Sequence, residues 1–175
     1  IGIVEKDKHS GLLHNSVAVI DRDGEILGTH RKVRVVNGPA ERWATQGSRI
    51  TPFIVDGIPV GLLICADAYK PDIANQYKVL GARILLSPAN WPPVQDMGPE
   101  GHWEARTAET GIPLVTNNRT GKEPDLDFSL GESVVAQDGK RLYSLRFPET
   151  RLILIDWDRQ TEFRIIGDSA LSIED

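Results

Sequence analysis

The sequence predicts an α/β protein built on mixed sheets covered by helices. Three observations carry that expectation. Hairpin signals stand toward both ends of the chain, a strand, helix, strand unit occupies Val60 to Ser87, and helical and extended segments alternate between the hairpins.

The first hairpin signal is HNSVAVIDRDGEILGTHRKV, two extended runs joined at Asp23-Gly24, a dipeptide suited to positive φ in a tight turn. GESVVAQDGKRLYSL repeats the pattern around Asp138-Gly139, and RLILIDWD after it has the apolar density of a strand. In the middle of the chain, PDIANQYKVLGA carries Pro71 at a first helical position, Ile73, Ala74, Tyr77 and Leu80 on one face, and Gly81 as the stop. VGLLI precedes this helix and ARILLS follows it, which reads as a parallel strand pair buried on both faces. A second helix, about His102 to Thr110, ends at Gly111 and leads through Pro113 into the strand LVTNN.

At 175 residues with ordinary apolar and charged fractions, the chain reads as a single domain over residues 1–175. Its net charge of -5 is spread along the sequence without a Lys/Arg block, which argues against nucleic acid or an anionic membrane as partner. One cysteine cannot form an intrachain disulfide or a Cys-based zinc site. There is no apolar run of transmembrane length and no signal-peptide pattern, so the expected location is cytoplasmic. The chain begins with the strand-like Ile1-Gly2-Ile3-Val4 and no initiator Met, which is expected of a fragment or a processed chain.

Chemistry concentrates in GIPVGLLICADAYKP. Cys65 stands at the C-terminal end of a buried strand, where α/β sheets place ligand sites. A helix dipole and free backbone N–H groups at such a turn would lower its pKa and hold an oxyanion, the Ala66 N–H among them. The plain alternative is a buried filler, since lone cysteines usually pack as small hydrophobes. A Cys/His dyad would need His30 or His102 to reach it. Lys32, after the strand EILGTH, could instead bring an ammonium beside the thiol, with Glu41 in NGPAERWATQG as its ion-pair partner. Each of these also reads as an ordinary solvated charge.

Four pieces, in order, resemble the carbon-nitrogen hydrolase, or nitrilase, superfamily. They are HRKV at Lys32, GLLICADAYKPD at Cys65, GARILLSPANW ending at Trp91, and WEARTAETGIPLVTNNRTG from Trp103 to Gly121. With the two hairpins, the resemblance spans nearly the whole chain. It implies a four-layer αββα sandwich and a Glu-Lys-Cys triad attacking an amide, carbamoyl or nitrile carbon without metal or cofactor. Cys65 would be the nucleophile, Lys32 and the Ala66 N–H the oxyanion donors, and Glu41 the glutamate that holds Lys32 and helps position substrate. Trp91 would wall the pocket or else pack in the core, and WPPVQDMGPEGHW would shape the pocket. Asp67 is expected to organise the turn after Cys65. Arg106 and Glu109, and Asn117, Asn118 and Arg119, are read as structural.

The resemblance places the general-base glutamate upstream of Ile1, and Glu5 does not match it. The expectation is therefore a domain incomplete at its N-terminus, with one sheet edge uncovered and little activity on its own. A homodimer acting on a small amide or nitrile is implied, and the tail GDSALSIED would be disordered or swap onto a neighbour. A non-catalytic binding or assembly module lacking the base is the rival reading. A different cysteine hydrolase using His102 is the third.

Overall fold

The computed structural model describes residues 1–38, 40–93, 101–158 and 162–170. The chain opens with an antiparallel sheet in the order β1 (Gly2–Lys6), β2 (Leu13–Ile20), β3 (Ile26–Arg31). A six-stranded sheet follows in sequence order: β4 (Phe53–Val55), β5 (Ile58–Leu62), β6 (Ile84–Ala89), β7 (Leu114–Asn118), β8 (Ser133–Gln137) and β9 (Lys140–Leu145). β5, β6 and β7 run parallel and the remaining pairs antiparallel, which gives the mixed sheet the alternation of elements predicts. β10 (Arg151–Trp157) and β11 (Phe163–Ala170) form a separate antiparallel pair.

Strand alternation divides the large sheet into two apolar faces. Leu63, Leu85, Leu114, Val134 and Ala136 point to one side, where they pack with Ile73, Ala74 and Tyr77 of α1 (Pro71–Val79) and Trp103 of α2 (His102–Thr110). Each large aliphatic side chain fully buried there contributes about 2 kcal/mol. Gly61 permits the close approach of α1, because a Cβ at this position would lie 2.7 Å from Leu85 Cδ2 and 2.8 Å from Tyr77 Cγ. On the opposite face, Leu62 and Ile64 meet Val17 and Val19 of β2, while Val60, Ile84 and Val135 meet Phe163, Ile155 and Trp157. The small sheet and the β10–β11 pair thus lie side by side against the large one, and two layers of strand pack face to face.

The described residues supply three of the four expected layers, one of helix and two of strand. The outer face of the small sheet carries a polar network instead of a helix. Glu5 there accepts from Ser16 Oγ at 2.7 Å and Arg31 Nε at 3.0 Å, which satisfies the groups that face leaves half-buried.

Several local expectations change. The Asp23-Gly24 turn is a five-residue loop, with Asp21 Oδ1 accepting the N–H groups of Asp23 and Glu25 at 2.9 Å. Two-residue turns with positive φ at both positions occur at Asp138-Gly139 and at Asp56-Gly57. Leu80 lies outside the buried face of α1, half exposed, because the helix stops at Val79 and Gly81 reverses the chain with φ 80°. The tail residues Gly167 to Ala170 are paired in β11, and residues 171–175 lie outside the described residues, as does most of the WPPVQDMGPEGHW loop. Among the described residues no helix is long and apolar enough to cross a membrane.

Candidate active site

The end of β3 delivers Lys32 into the interior. Its backbone N–H donates to Asn15 O and its carbonyl accepts from Gly47 N, both at 2.8 Å, so the residue is pinned on both sides. The side chain is 3% exposed and its Nζ donates to both Glu41 oxygens at 2.7 Å. Glu41 arrives on a turn in which its N–H reaches Gly38 O and its carbonyl accepts from Ala44 N. Its carboxylate also accepts from Asn15 Nδ2 at 2.6 Å and Val36 N at 2.8 Å. A buried ion pair is tolerable only when its remaining hydrogen-bonding capacity is met, and these two added donors do that.

β5 continues through Leu63 and Ile64 into a 3-10 turn, Cys65–Tyr69. Cys65 begins that turn at φ 48°, a conformation a side chain rarely adopts, and is partly buried. Asp67 holds the turn, its Oδ2 accepting from Ile64 N at 3.0 Å. Burial pushes the Cys65 thiol up from its ordinary pKa. The Lys32 ammonium and the N–H groups of Asn90 and Ala66 pull it down, and Glu41 pushes it up again. Burial is the largest influence on the thiol and outweighs the ammonium and the N–H groups of the turn.

These groups line a cavity of about 580 Å³ shared by Lys32, Glu41, Cys65, Ala66, Asn90 and Trp91. Trp43 and Tyr69 add aromatic surface. Trp91 is 2% exposed and lies edge-on to Trp103 at 5.5 Å, so it is both a core side chain and a wall of the cavity. Asn118 fixes the segment at Trp91, accepting its N–H at 2.9 Å and donating to its carbonyl at 3.0 Å. Asn117 and Arg119 stand at the same rim. Arg106 donates to Ala68 O at 2.8 Å and pairs with Glu109, tying α2 to the Cys65 turn from behind. His102 stacks on Trp91 at 5.9 Å and meets Tyr69 edge-on at 5.0 Å, outside the cavity lining. Burial, then Arg106, push its pKa down, while Glu104 opposes them. Among the described residues no His, Cys, Asp or Glu cluster could hold a metal ion.

Four contributors escaped the sequence reading: Asn15, the Asn90 N–H, Trp43 and Tyr69. None left a local signal there: Asn15, for one, stands between the polar His14 and Ser16.

The carbon-nitrogen hydrolase family model matches residues 1–163. The chain is 30% identical over 150 residues to a probable nitrilase of Schizosaccharomyces pombe, covering 82% of this chain and 53% of that protein. It is 28% identical over 165 residues to the 2-oxoglutaramate amidase of Bacillus subtilis, covering 91% of this chain and 61% of that one. The chain thus spans about half the length of the curated relatives it matches. Among solved structures, a glutamine-dependent NAD+ synthetase from Acinetobacter baumannii superposes with a TM-score of 0.81 at 25% identity, over 99% of this chain and 34% of its own.

Proposed function

The chain belongs to the carbon-nitrogen hydrolase family, and from that premise we propose that Cys65 is the nucleophile of an amide-type hydrolase acting on a small non-peptide substrate. The observation that carries the reading is the buried Lys32–Glu41 pair opening onto the same cavity as Cys65. The sulfur adds to the amide or carbamoyl carbon, and the electron pair moves onto oxygen. Lys32 and the Ala66 N–H hold that oxyanion. Collapse breaks the C–N bond, the nitrogen leaves with a proton as ammonia or an amine, and water hydrolyses the thioester to a carboxylate and the free thiol. A nitrile would first give a thioimidate with the electron pair on nitrogen; one water adds to its carbon, ammonia leaves to form the thioester, and a second water hydrolyses that. Trp91, with Trp43 and Tyr69, would enclose the substrate.

Both steps need a general base. Glu41 is occupied by Lys32, Asn15 and Val36, and Glu5 by Arg31 and Ser16 on the far face of the small sheet. Neither is free to serve, and the reading takes the base to be the glutamate that the family resemblance places outside this sequence. A homodimer is part of the same reading, with the half-exposed Leu152 and Leu154 as surface to cover.

A second reading is favoured by the superposition over 99% of the chain, which takes in the β10–β11 pair. In it the substrate is the side-chain amide of glutamine, and the ammonia released serves a synthetase partner. Both readings are tested in a protein that also carries the base-supplying segment, by assaying amides, carbamoyl compounds, nitriles and L-glutamine with the wild type and Cys65→Ala. Turnover lost in the variant is expected, and turnover unchanged overturns the mechanism. A protein inert toward the whole panel would support the non-catalytic module instead.

A further inference from the structure

Asp67 is fully buried and its two oxygens reach different parts of the chain. Oδ2 accepts from Ile64 N at 3.0 Å, the residue before Cys65, while Oδ1 accepts from Arg34 N at 2.6 Å, two residues after Lys32. His30, two residues before Lys32, directs Nε2 to within 3.8 Å of the same carboxylate. That nitrogen is buried with no hydrogen-bond partner, and Tyr77 OH stands 3.4 Å from the other ring nitrogen. One carboxylate therefore touches the chain on both sides of Lys32 and immediately before Cys65.

We infer that Asp67, with His30 packed beside it, is a positioning residue that sets the separation of the Lys32 ammonium from the Cys65 sulfur. The inference rests on the reading of Lys32 and Cys65 given above and assigns them a common anchor. Two physical facts support it. A non-glycine residue at positive φ persists only where its surroundings over-determine it, and the Asp67 bond to Ile64 does so at Cys65. The field of an ammonium at a thiolate falls with distance, so a slip between the two segments weakens it directly. Asp67 engages the backbone N–H of Arg34, whose guanidinium pairs with Asp72 instead, so the anchor does not depend on that side chain.

The test is alkylation of Cys65, the chain's single cysteine, by iodoacetamide as a function of pH, which needs no turnover. The charged and titratable groups acting on the thiol are Lys32, Glu41 and Tyr69. Removing the Asp67 negative charge would by simple electrostatics lower the pH midpoint of alkylation, whereas loss of positioning raises it, so the direction separates the two. Asp67→Asn is expected to raise the midpoint, and at a fixed pH below it alkylation slows about ten-fold for every pH unit by which the midpoint rises. His30→Gln is expected to raise it less. Lys32→Met raises it too, and adding Asp67→Asn to Lys32→Met raises it no further. Arg34→Ala keeps the wild-type midpoint.

A lowered or unchanged midpoint in Asp67→Asn beside a raised one in Lys32→Met overturns the inference alone. An unchanged midpoint in Lys32→Met overturns the reading of Lys32 beneath it. Should Asp67→Asn lose its cooperative melt, His30→Gln decides by the same sign.

Discussion

Lys32 and Glu41 meet through both carboxylate oxygens at 2.7 Å, with side chains only 3% and 10% exposed. Removing one partner strands a charge in the interior, so Glu41→Gln is expected to destabilise the fold by about 3–5 kcal/mol. Adding Lys32→Met should recover part of that loss, because the stranded ammonium goes with it. Denaturant unfolding of both singles and the double variant measures the coupling, and strictly additive losses would contradict it.

Tyr77 sets an alkaline limit on stability. Burial raises its phenol to about 12, above the ordinary value of 10.0. Between those values the unfolded chain loses the proton while the folded one keeps it, so stability falls as pH rises through that window. The full effect is at most about 3 kcal/mol. Tyr77→Phe should flatten this limb in melts recorded from neutral to alkaline pH, and an unchanged limb would assign it elsewhere.

His102 offers a separation of structure from chemistry. Its lowered pKa means that the unfolded chain binds a proton more readily, so stability declines as pH falls below the ordinary histidine value of 6.5. His102→Gln is expected to lessen that acid decline and, in a protein that also carries the base-supplying segment, to keep turnover, whereas Lys32→Met abolishes it there. The reverse pattern would establish a cysteine–histidine hydrolase in place of the lysine-assisted one.

Gly61 tests the packing of α1. Gly61→Ala drives a methyl into Leu85 and the Tyr77 ring, both fully buried, and is expected to cost about 1–3 kcal/mol. Thermal melting reads this directly. A wild-type midpoint would mean that α1 can ride outward without penalty.

What could be read from the sequence was whatever has a short-range signature. The Asp138-Gly139 turn, the Pro71 start and Gly81 stop of α1, and the alternating strands around them all follow from local backbone preferences. β4 was missed because three residues are too few to show a period, and β11 because its run FRIIGDSA mixes a glycine and a charge into the pattern. At the site, residue types and order pointed to Cys65, Lys32 and Glu41 through a family resemblance, and the fold gathers all three around one cavity. Asn15 donates across 26 positions to Glu41, and Asp67 reaches back 33 to Arg34. Such contacts are created by sheet packing, and no local pattern encodes them. The direction in which the thiol's pKa moves was misjudged for the same reason, since burial depends on what the rest of the chain brings around it.

The φ of 48° at Cys65 has a consequence for how the protein can drift. Glycine occupies that conformation without strain, so the backbone at this turn favours Cys65→Gly over the residue it carries. Against that pull stands only what a sulfur can do and a hydrogen atom cannot. A lineage released from chemistry would be expected to surrender this position early and grow sturdier for it, while one that retains the thiol keeps its reactive atom on the least comfortable stretch of its own chain.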